Sequence, residues 1–313
     1  MAGLGLVILL LAGDLLVRGA VNSALRLGIP ALIVSLTIVA FGTSAPELLI
    51  SVQAIHEGAP GLALGNVIGS NTANVLLVLG LPALVAGFAT SHFDTRKSYI
   101  LMMVATVAFV IMAYLGPFTW VHGLFLLALL AVVLGDQARE ALYHRRNDKK
   151  DAEPDIEGND PSMRWWKILL FLGLGLVGLP LGADILVDAA RAIAQDYGVS
   201  DSVIGLTLVA VGTSLPELAT TVMAAVRRQA DVALGNVIGS NIFNLLAIIG
   251  IATLFGEIPV DKAVLNFDLW VMVGASVLLA PFVFSDSLNM TKRWGFGLSL
   301  CYVVYVVLAV SHG

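Results

Sequence analysis

Gly42-Thr43-Ser44-Ala45-Pro46-Glu47 recurs 170 residues later as Gly212-Thr213-Ser214-Leu215-Pro216-Glu217. A second motif, Gly65-Asn66-Val67-Ile68-Gly69-Ser70-Asn71, recurs at the same spacing as Gly235-Asn236-Val237-Ile238-Gly239-Ser240-Asn241. Across the two repeated segments about half of the positions are identical, without a gap. Each segment is hydrophobic and carries one glutamate. A repeat that places two carboxylates inside apolar segments predicts a transporter of two pseudo-symmetric halves, with its site between them.

The composition is typical of a membrane protein. Hydrophobic residues make up 58% of the 313 residues and charged residues only 12%, with a mean hydropathy of +0.92; soluble domains have about 25% charged residues. The single cysteine, Cys301, excludes a disulfide framework and any multi-cysteine metal site. The net charge of −5 argues against a nucleic-acid partner. The five histidines fall near predicted helix ends or in loops, so we expect no histidine-based centre in the membrane.

Ten apolar runs are long enough to cross a bilayer, which takes about 17–25 residues. They lie near residues 2–24, 29–56, 60–88, 98–115, 118–136, 167–193, 199–226, 230–256, 266–284 and 294–311. The first run lacks a basic leading segment, so we interpret it as a retained helix rather than a signal peptide. We therefore predict an all-α polytopic membrane protein in a lipid bilayer, with ten transmembrane helices. Its parts would be a five-helix repeat at residues 1–136, a linker at 137–166 and a second five-helix repeat at 167–313.

The placement of lysine and arginine predicts the orientation. If the charged linker is cytoplasmic, 15 of the 17 basic residues fall on the cytoplasmic side, and only Arg191 and Lys262 fall outside. Both termini would then lie outside. Because five is an odd number, the second half would enter the membrane from the opposite side, and the two repeats would be inverted. A plasma (inner) membrane is the expected location.

The repeated motifs collect oxygen atoms. Pro46 lacks an amide hydrogen and clashes with the carbonyl four residues back, so nearby carbonyls, such as that of Ala40, can turn away from the helix. Thr43 and Glu47 are four residues apart and share a helix face. On the third helix, Ser70 and Asn74 have the same spacing. The second half repeats the set with Ala210, Thr213, Glu217, Ser240 and Asn244.

An all-oxygen set of this kind suits a hard cation. Calcium takes about 6–8 oxygen ligands in flexible geometry. Two glutamates bring a charge of −2, which matches one divalent ion or several sodium ions or protons. Two empty carboxylates facing each other at low dielectric would repel. The pattern therefore indicates a site that is always neutralised, by one ion species or by the other.

Structural roles are the alternative interpretation for each of these groups. The four predicted helices that carry the motifs contain no internal lysine or arginine to pair with Glu47 or Glu217, which disfavours a purely structural role for the glutamates. Ser44 and Ser214 are expected to hydrogen-bond back to carbonyls and to aid the kink. Asp14 is expected to pair with Arg18, four residues on. Capping or helix–helix hydrogen bonds are the preferred interpretation for Asn66, Asn71, Asn236 and Asn241.

At these residues the sequence resembles the cation/calcium exchanger superfamily, most closely its prokaryotic sodium/calcium exchanger branch. Both family motifs, Gly-Thr-Ser-x-Pro-Glu and Gly-Asn-x-x-Gly-Ser-Asn, are present in both halves. The resemblance implies ions bound between helices two, three, seven and eight, no cofactor, and function as a single chain. It implies calcium ligation by Glu47 and Glu217 with backbone oxygens of Thr43 and Thr213. The implied sodium ligands are Ala40, Thr43, Ser70 and Glu47 with their mates Ala210, Thr213, Ser240 and Glu217, and Asn74 and Asn244 would line the centre.

The sequence departs from some family members at one point. They carry an aspartate where this chain has Asn74 or Asn244, so the centre here holds two carboxylates rather than three. Sodium/calcium antiport by alternating access is the leading hypothesis, and proton-coupled antiport of calcium or another divalent cation is the alternative. A passive cation channel and an intramembrane enzyme are the other classes. An enzyme is disfavoured because Ser44 and Ser214 have no intramembrane lysine or histidine to activate them.

Overall fold

The described part of the chain is almost wholly helical. The computed structural model describes residues 1–87, 95–147, 160, 162–196, 210–285 and 287–312. One antiparallel bridge joins Phe118 and Ile258 between helices. Backbone groups inside a bilayer must find their partners within the chain, and helices satisfy nearly all of them internally.

The helical segments of the described residues group into ten elements, which we number in chain order. They are α1 (Ala2–Leu27), α2 (Ala31–His56), α3 (Pro60–Val85), α4 (Arg96–Leu115), α5 (Trp120–Asn147), α6 (Trp165–Asp196), α7 (Ala210–Thr213 and Leu215–Val226), α8 (Ala230–Ala252), α9 (Val264–Phe284) and α10 (Lys292–His312). Within the described ranges, nine of them are long and apolar enough to cross a membrane.

The remaining predicted span, residues 199–226, falls partly outside the described residues. Its described part forms α7, of which Leu215–Val226 is apolar but short. The fifth helix is longer than predicted, since α5 continues to Asn147 rather than ending near residue 136. Residues 136–147 are rich in helix-forming Ala, Arg, Glu and Leu, which explains why the helix extends into the predicted linker.

The helices form a buried centre and an apolar periphery. The most hydrophobic stretch of α8 is buried along its whole length, and most of the corresponding stretch of α3 is buried, whereas α5 and α10 are largely exposed. Large apolar side chains cover the outside, among them Leu11, Val132 and Val177. A surface of this kind is suited to lipid rather than water. The two helices that carry the Gly-Asn-x-x-Gly-Ser-Asn motif therefore lie inside the bundle.

Helices α1 and α6 cross closely through glycine. A Cβ atom placed on Gly5 would lie 2.9 Å from the Gly182 carbonyl oxygen, and one placed on Gly175 would lie 3.0 Å from that of Ala12. The residue numbers of the contacting residues decrease along α6 as they increase along α1, so the two helices are antiparallel. The two contacts are equivalent under the repeat, because Gly5 matches Gly175 and Ala12 matches Gly182 at the spacing of 170. Small residues allow the two backbones to approach closely at this crossing.

This crossing predicts a large difference between two glycines of α6. In Gly175→Ala the new methyl group would lie 2.7 Å from Leu16 Cβ and close to the α1 backbone. We expect a loss of about 1–3 kcal/mol in the free energy of unfolding, as for other overpacked sites. Gly173→Ala is the matched control, because no described heavy atom lies within 4 Å of its methyl group. Thermal unfolding in detergent measures both, and equal melting temperatures would contradict the close crossing.

Candidate ion-binding site

A break in α2 and a matching break in α7 position the two glutamates. Ser44 separates the two parts of α2 with φ −84° and ψ 3°, and Ser214 separates the two parts of α7 with φ −87° and ψ 3°. The break predicted near Pro46 is therefore confirmed, but the Ala40 carbonyl does not turn away from the helix as expected, since it accepts a hydrogen bond from Ser44 N at 3.0 Å. The two breaks place Glu47 and Glu217 in the first turn of a new helical segment, where the positive end of the helix dipole stabilises a carboxylate.

Both glutamates are buried, and a hydrogen bond links the two halves at their carboxylates. Ser44 Oγ donates to Glu217 Oε1 at 3.2 Å, and Ser44 lies three residues before Glu47 on α2. We expected Ser44 and Ser214 to bond back to carbonyls of their own helices, and this expectation is wrong for both, since Ser214 Oγ makes no described hydrogen bond. The breaks in α2 and α7 lie against each other, so the charged oxygen of Glu217 is within reach and is the stronger acceptor.

Two asparagines hold the glutamate backbones in matching ways. Asn66 Nδ2 donates to the Glu47 carbonyl oxygen at 3.2 Å, and Asn236 Nδ2 donates to that of Glu217 at 3.3 Å. Each asparagine also donates to a hydroxyl group four residues after that glutamate, on the helix of the glutamate, at 3.1 and 3.2 Å. The helix–helix role expected for these asparagines is confirmed. They fix α3 against α2 and α8 against α7.

Hydroxyl and amide groups from α2, α3 and α8 surround the carboxylates. Thr43 Oγ1 lies 3.5 Å from Ser240 Oγ and 3.3 Å from the Ala40 carbonyl oxygen. Asn74 Nδ2 donates to Asn241 Oδ1 at 3.0 Å. The structure thus brings groups from both halves together at one level of the bundle.

The other predicted site residues follow the same arrangement in part. Ser70, Asn244 and Thr213 are buried, but the side chains of Ser70 and Asn244 make no described hydrogen bond. Ala210 begins the first segment of α7.

A wide turn follows each central asparagine. Residues Asn74–Val78 and Asn244–Ile248 are π-helical, at the same place in the two halves. In the first, Leu79 N donates to the Asn74 carbonyl oxygen five residues earlier, at 3.2 Å. Single π-helical turns of this kind occur often at functional sites.

Many polar atoms of this cluster are buried without a hydrogen-bond partner among the described residues. They are Oε1 and Oε2 of Glu47, Oε2 of Glu217, Oγ of Ser70 and Ser214, Oδ1 of Asn71 and Asn74, and Oδ1 and Nδ2 of Asn244. All but one are oxygens. An unpaired buried polar group typically costs about 1–3 kcal/mol, so their concentration at one place indicates that the site is built for a cation. Oxygen ligands without sulfur or imidazole suit calcium or sodium.

Sequence reasoning missed three contacts of this region. Asn71 Nδ2 lies 3.8 Å from Met272 Sδ, and Asn241 Nδ2 lies 3.8 Å from Met102 Sδ. The two methionines are themselves 170 residues apart, so an extension of the repeat alignment to α4 and α9 could have found them. The Ser44 contact has no such signal, because Ser214 Oγ makes no matching bond in the described structure.

The chain matches the family model described as sodium/calcium exchanger protein over residues 1–136 and 167–311. It is 36% identical to a putative antiporter CaxA of Alkalimonas amylolytica, over 88% of this chain and 86% of the relative. It is 34% identical to the sodium/calcium exchanger MaX1 of Methanosarcina acetivorans, over 97% of this chain and 96% of the relative. A solved structure of the sodium-calcium exchanger NCX_Mj superposes with a TM-score of 0.82 at 32% identity, covering 97% and 95% of the two chains.

The chain therefore belongs to the sodium/calcium exchanger family. Members of this family are multi-pass membrane transporters rather than enzymes, which confirms the family resemblance and the expected class. The two matched segments lie on either side of the charged linker, and each contains one copy of both motifs.

The one-sided Ser44 contact yields a prediction. Ser44→Ala removes the hydroxyl donor to a buried carboxylate, and we expect a loss of about 1.5–3 kcal/mol in the free energy of unfolding, as for hydrogen bonds to charged groups. Ser214→Ala is the matched control, since its hydroxyl makes no described hydrogen bond. Thermal unfolding of both variants in one buffer, with choline as the monovalent cation, measures the difference. Equal losses would contradict the contact.

Proposed function

We propose that the protein exchanges calcium for sodium across the membrane, at a site formed by α2, α3, α7 and α8. The observation that carries this proposal is the pair of buried glutamates, Glu47 and Glu217, surrounded by unpartnered oxygens from both halves. The described structure shows no lysine or arginine paired with either carboxylate. Only transported cations then remain to balance their charge.

The roles of the residues follow from the oxygens that each can offer. Glu47 and Glu217, with backbone oxygens of Thr43 and Thr213, would hold calcium. Sodium ions would use these glutamates together with the hydroxyl and carbonyl oxygens of Ala40, Thr43, Ser70, Ala210, Thr213 and Ser240. Asn74 and Asn244 would line the centre without adding charge. Exchange follows if one calcium ion or several sodium ions satisfy the same two carboxylates, because the empty, doubly charged site is costly to bury.

An unequal covering of the two halves supports alternating access. Gly13 of α1 lies against the Ala219 carbonyl group of α7, and Ala219 is 6% exposed, whereas its mate Leu49 is 71% exposed. Likewise Val232 of α8 is fully buried, and its mate Leu62 of α3 is 66% exposed. One side of the site is covered by α1, and the matching side is not covered by α6. Moving α1 and α6 together across the other helices would exchange the two arrangements.

The topology that we propose is a pair of inverted five-helix repeats joined by a cytoplasmic linker. The antiparallel crossing of α1 and α6 supports this topology. The end of α1 also meets the start of α6, since Arg26 Nε donates to the Met163 carbonyl oxygen at 2.9 Å. We call this end of the bundle the linker side and the other end the terminal side. The excess of basic residues favours a cytoplasmic linker side, with both termini outside a plasma (inner) membrane. The whole site lies within one chain, so we expect function without a partner chain.

Neutralising either glutamate tests the site. In Glu47→Gln and Glu217→Gln the charge falls to −1, and we expect calcium-45 uptake into sodium-loaded proteoliposomes to fall by more than about tenfold, as for loss of a metal ligand. Glu140→Gln is a matched control. The Glu140 carboxylate lies outside the site and pairs with Lys97 Nζ at a distance of 2.8 Å. Retained uptake in either site variant, with normal folding, would remove the two-carboxylate model.

The coupling ion is tested in the same vesicles. Uptake that requires internal sodium and collapses with monensin, at one pH on both sides, is the expected result. Uptake that ignores sodium and follows an imposed pH gradient would replace sodium with protons as the coupling ion. Calcium flux without any counter-ion requirement would indicate a passive channel.

A further inference from the structure

An ion-pair cluster ties α1 to the end of α7. Arg227 Nε donates to Asp14 Oδ1, and Arg18 Nε lies 3.0 Å from Asp14 Oδ2. The Arg18 pair was expected from sequence and is confirmed, but the Arg227 partner was not. The side chains of Asp14 and Arg227 are only 17% and 14% exposed. Water therefore screens their attraction less than it would at an open surface.

The cluster lies beside the contact that covers the linker side of the site. Gly13, the neighbour of Asp14, packs on Ala219 of α7. One turn further along, Val17 and Val21 belong to a buried apolar group with Ala224, Val232 and Ala233. The ion pair thus crosses the same α1–α7 boundary that would have to part for the site to open toward the linker side.

The matching positions of the other half carry only acidic residues. Asp14 matches Asp184, Arg18 matches Asp188 and Arg227 matches Glu57, all at a spacing of 170. The first set has a net charge of +1 and the second a net charge of −3. All three residues of the second set are exposed. Packing α6 on α2 in the way that α1 packs on α7 would bring like charges together instead of forming an ion pair.

We propose that Asp14, Arg18 and Arg227 are positioning residues of the exchange cycle, which hold α1 against α7 and keep the linker side closed. The described residues of the terminal side contain no equivalent cluster, so the protein rests with its site open toward the terminal side. This proposal rests on the alternating access in the proposed function. It assigns different free energies to the two closed arrangements, although the helices that form them are related by a repeat. The residues touch no transported ion and act through the position of α1.

Cysteine labelling tests the proposal without any transport. In a Cys301→Ser background, Val232→Cys reports the linker side and Leu62→Cys, at the matching position, reports the terminal side. Both are labelled with a water-soluble maleimide in detergent. Arg227→Gln should raise the labelling rate of Val232→Cys by roughly fivefold, as expected for a partly buried ion pair, and should leave Leu62→Cys equal or slower. Glu57→Gln, the matched control, should not raise the rate at Val232→Cys.

A double-mutant cycle separates the ion pair from general loosening. Asp14→Asn also removes the Arg18 pair, so it should raise the rate at Val232→Cys at least as much as Arg227→Gln. The double variant should label no faster than Asp14→Asn alone, because both lack the Asp14–Arg227 interaction. Additive effects, an unchanged rate at Val232→Cys, or faster labelling at both reporters would overturn the proposal. The readout needs neither sodium nor calcium, so a failure of sodium-driven uptake would leave this result standing. Conversely, unchanged labelling would leave the assignment of the transported ions intact.

Discussion

The burial of two carboxylates without a basic partner is the constraint on which the rest of this structure depends. An ionised group is expensive at membrane depth, and Glu47 and Glu217, on two different helices, are almost completely buried. Burying both glutamates demands features that a membrane helix otherwise avoids. Each glutamate sits just after a helix break, where the helix dipole favours its charge, and each has its own carbonyl fixed by an asparagine from the next helix.

Those requirements explain the composition of the motifs. Pro46 and Pro216 lie in the first turn of the new helical segment, where the missing amide hydrogen is tolerated, so each break falls two residues before the proline. Asn66 and Asn236 tie the backbones of Glu47 and Glu217 to the next helix. Gly235 and Gly239 lie against α2, where a Cβ would be 2.5–3.0 Å from backbone or side-chain atoms. The residues of the two motifs therefore act together to place a charged group at the centre of an apolar bundle.

Most of this arrangement could be predicted from the sequence, because equivalent residues of a repeat take equivalent places in the two halves. Composition and hydrophobic runs defined the helices, and the common spacing of 170 identified Glu47, Glu217 and their polar neighbours as one set. The contacts that the repeat could not predict are those in which the two halves differ. Ser44 reaches across to Glu217, but Ser214 makes no matching bond, and Arg227 pairs with Asp14, but Glu57 cannot pair with Asp184 in the same way. A repeat predicts what the halves share, whereas only the packed structure shows where they depart from it.

The π-helical turns after Asn74 and Asn244 lie at equivalent positions of the two halves. A π-helical turn takes one residue more than an α-helical turn, and both halves have it at the same place. A further π-helical segment, Val264–Asp268, begins α9, but the described start of α4 at Arg96 is α-helical. The shared turn therefore belongs to the unit that the two halves repeat, and it is not an irregularity of one helix.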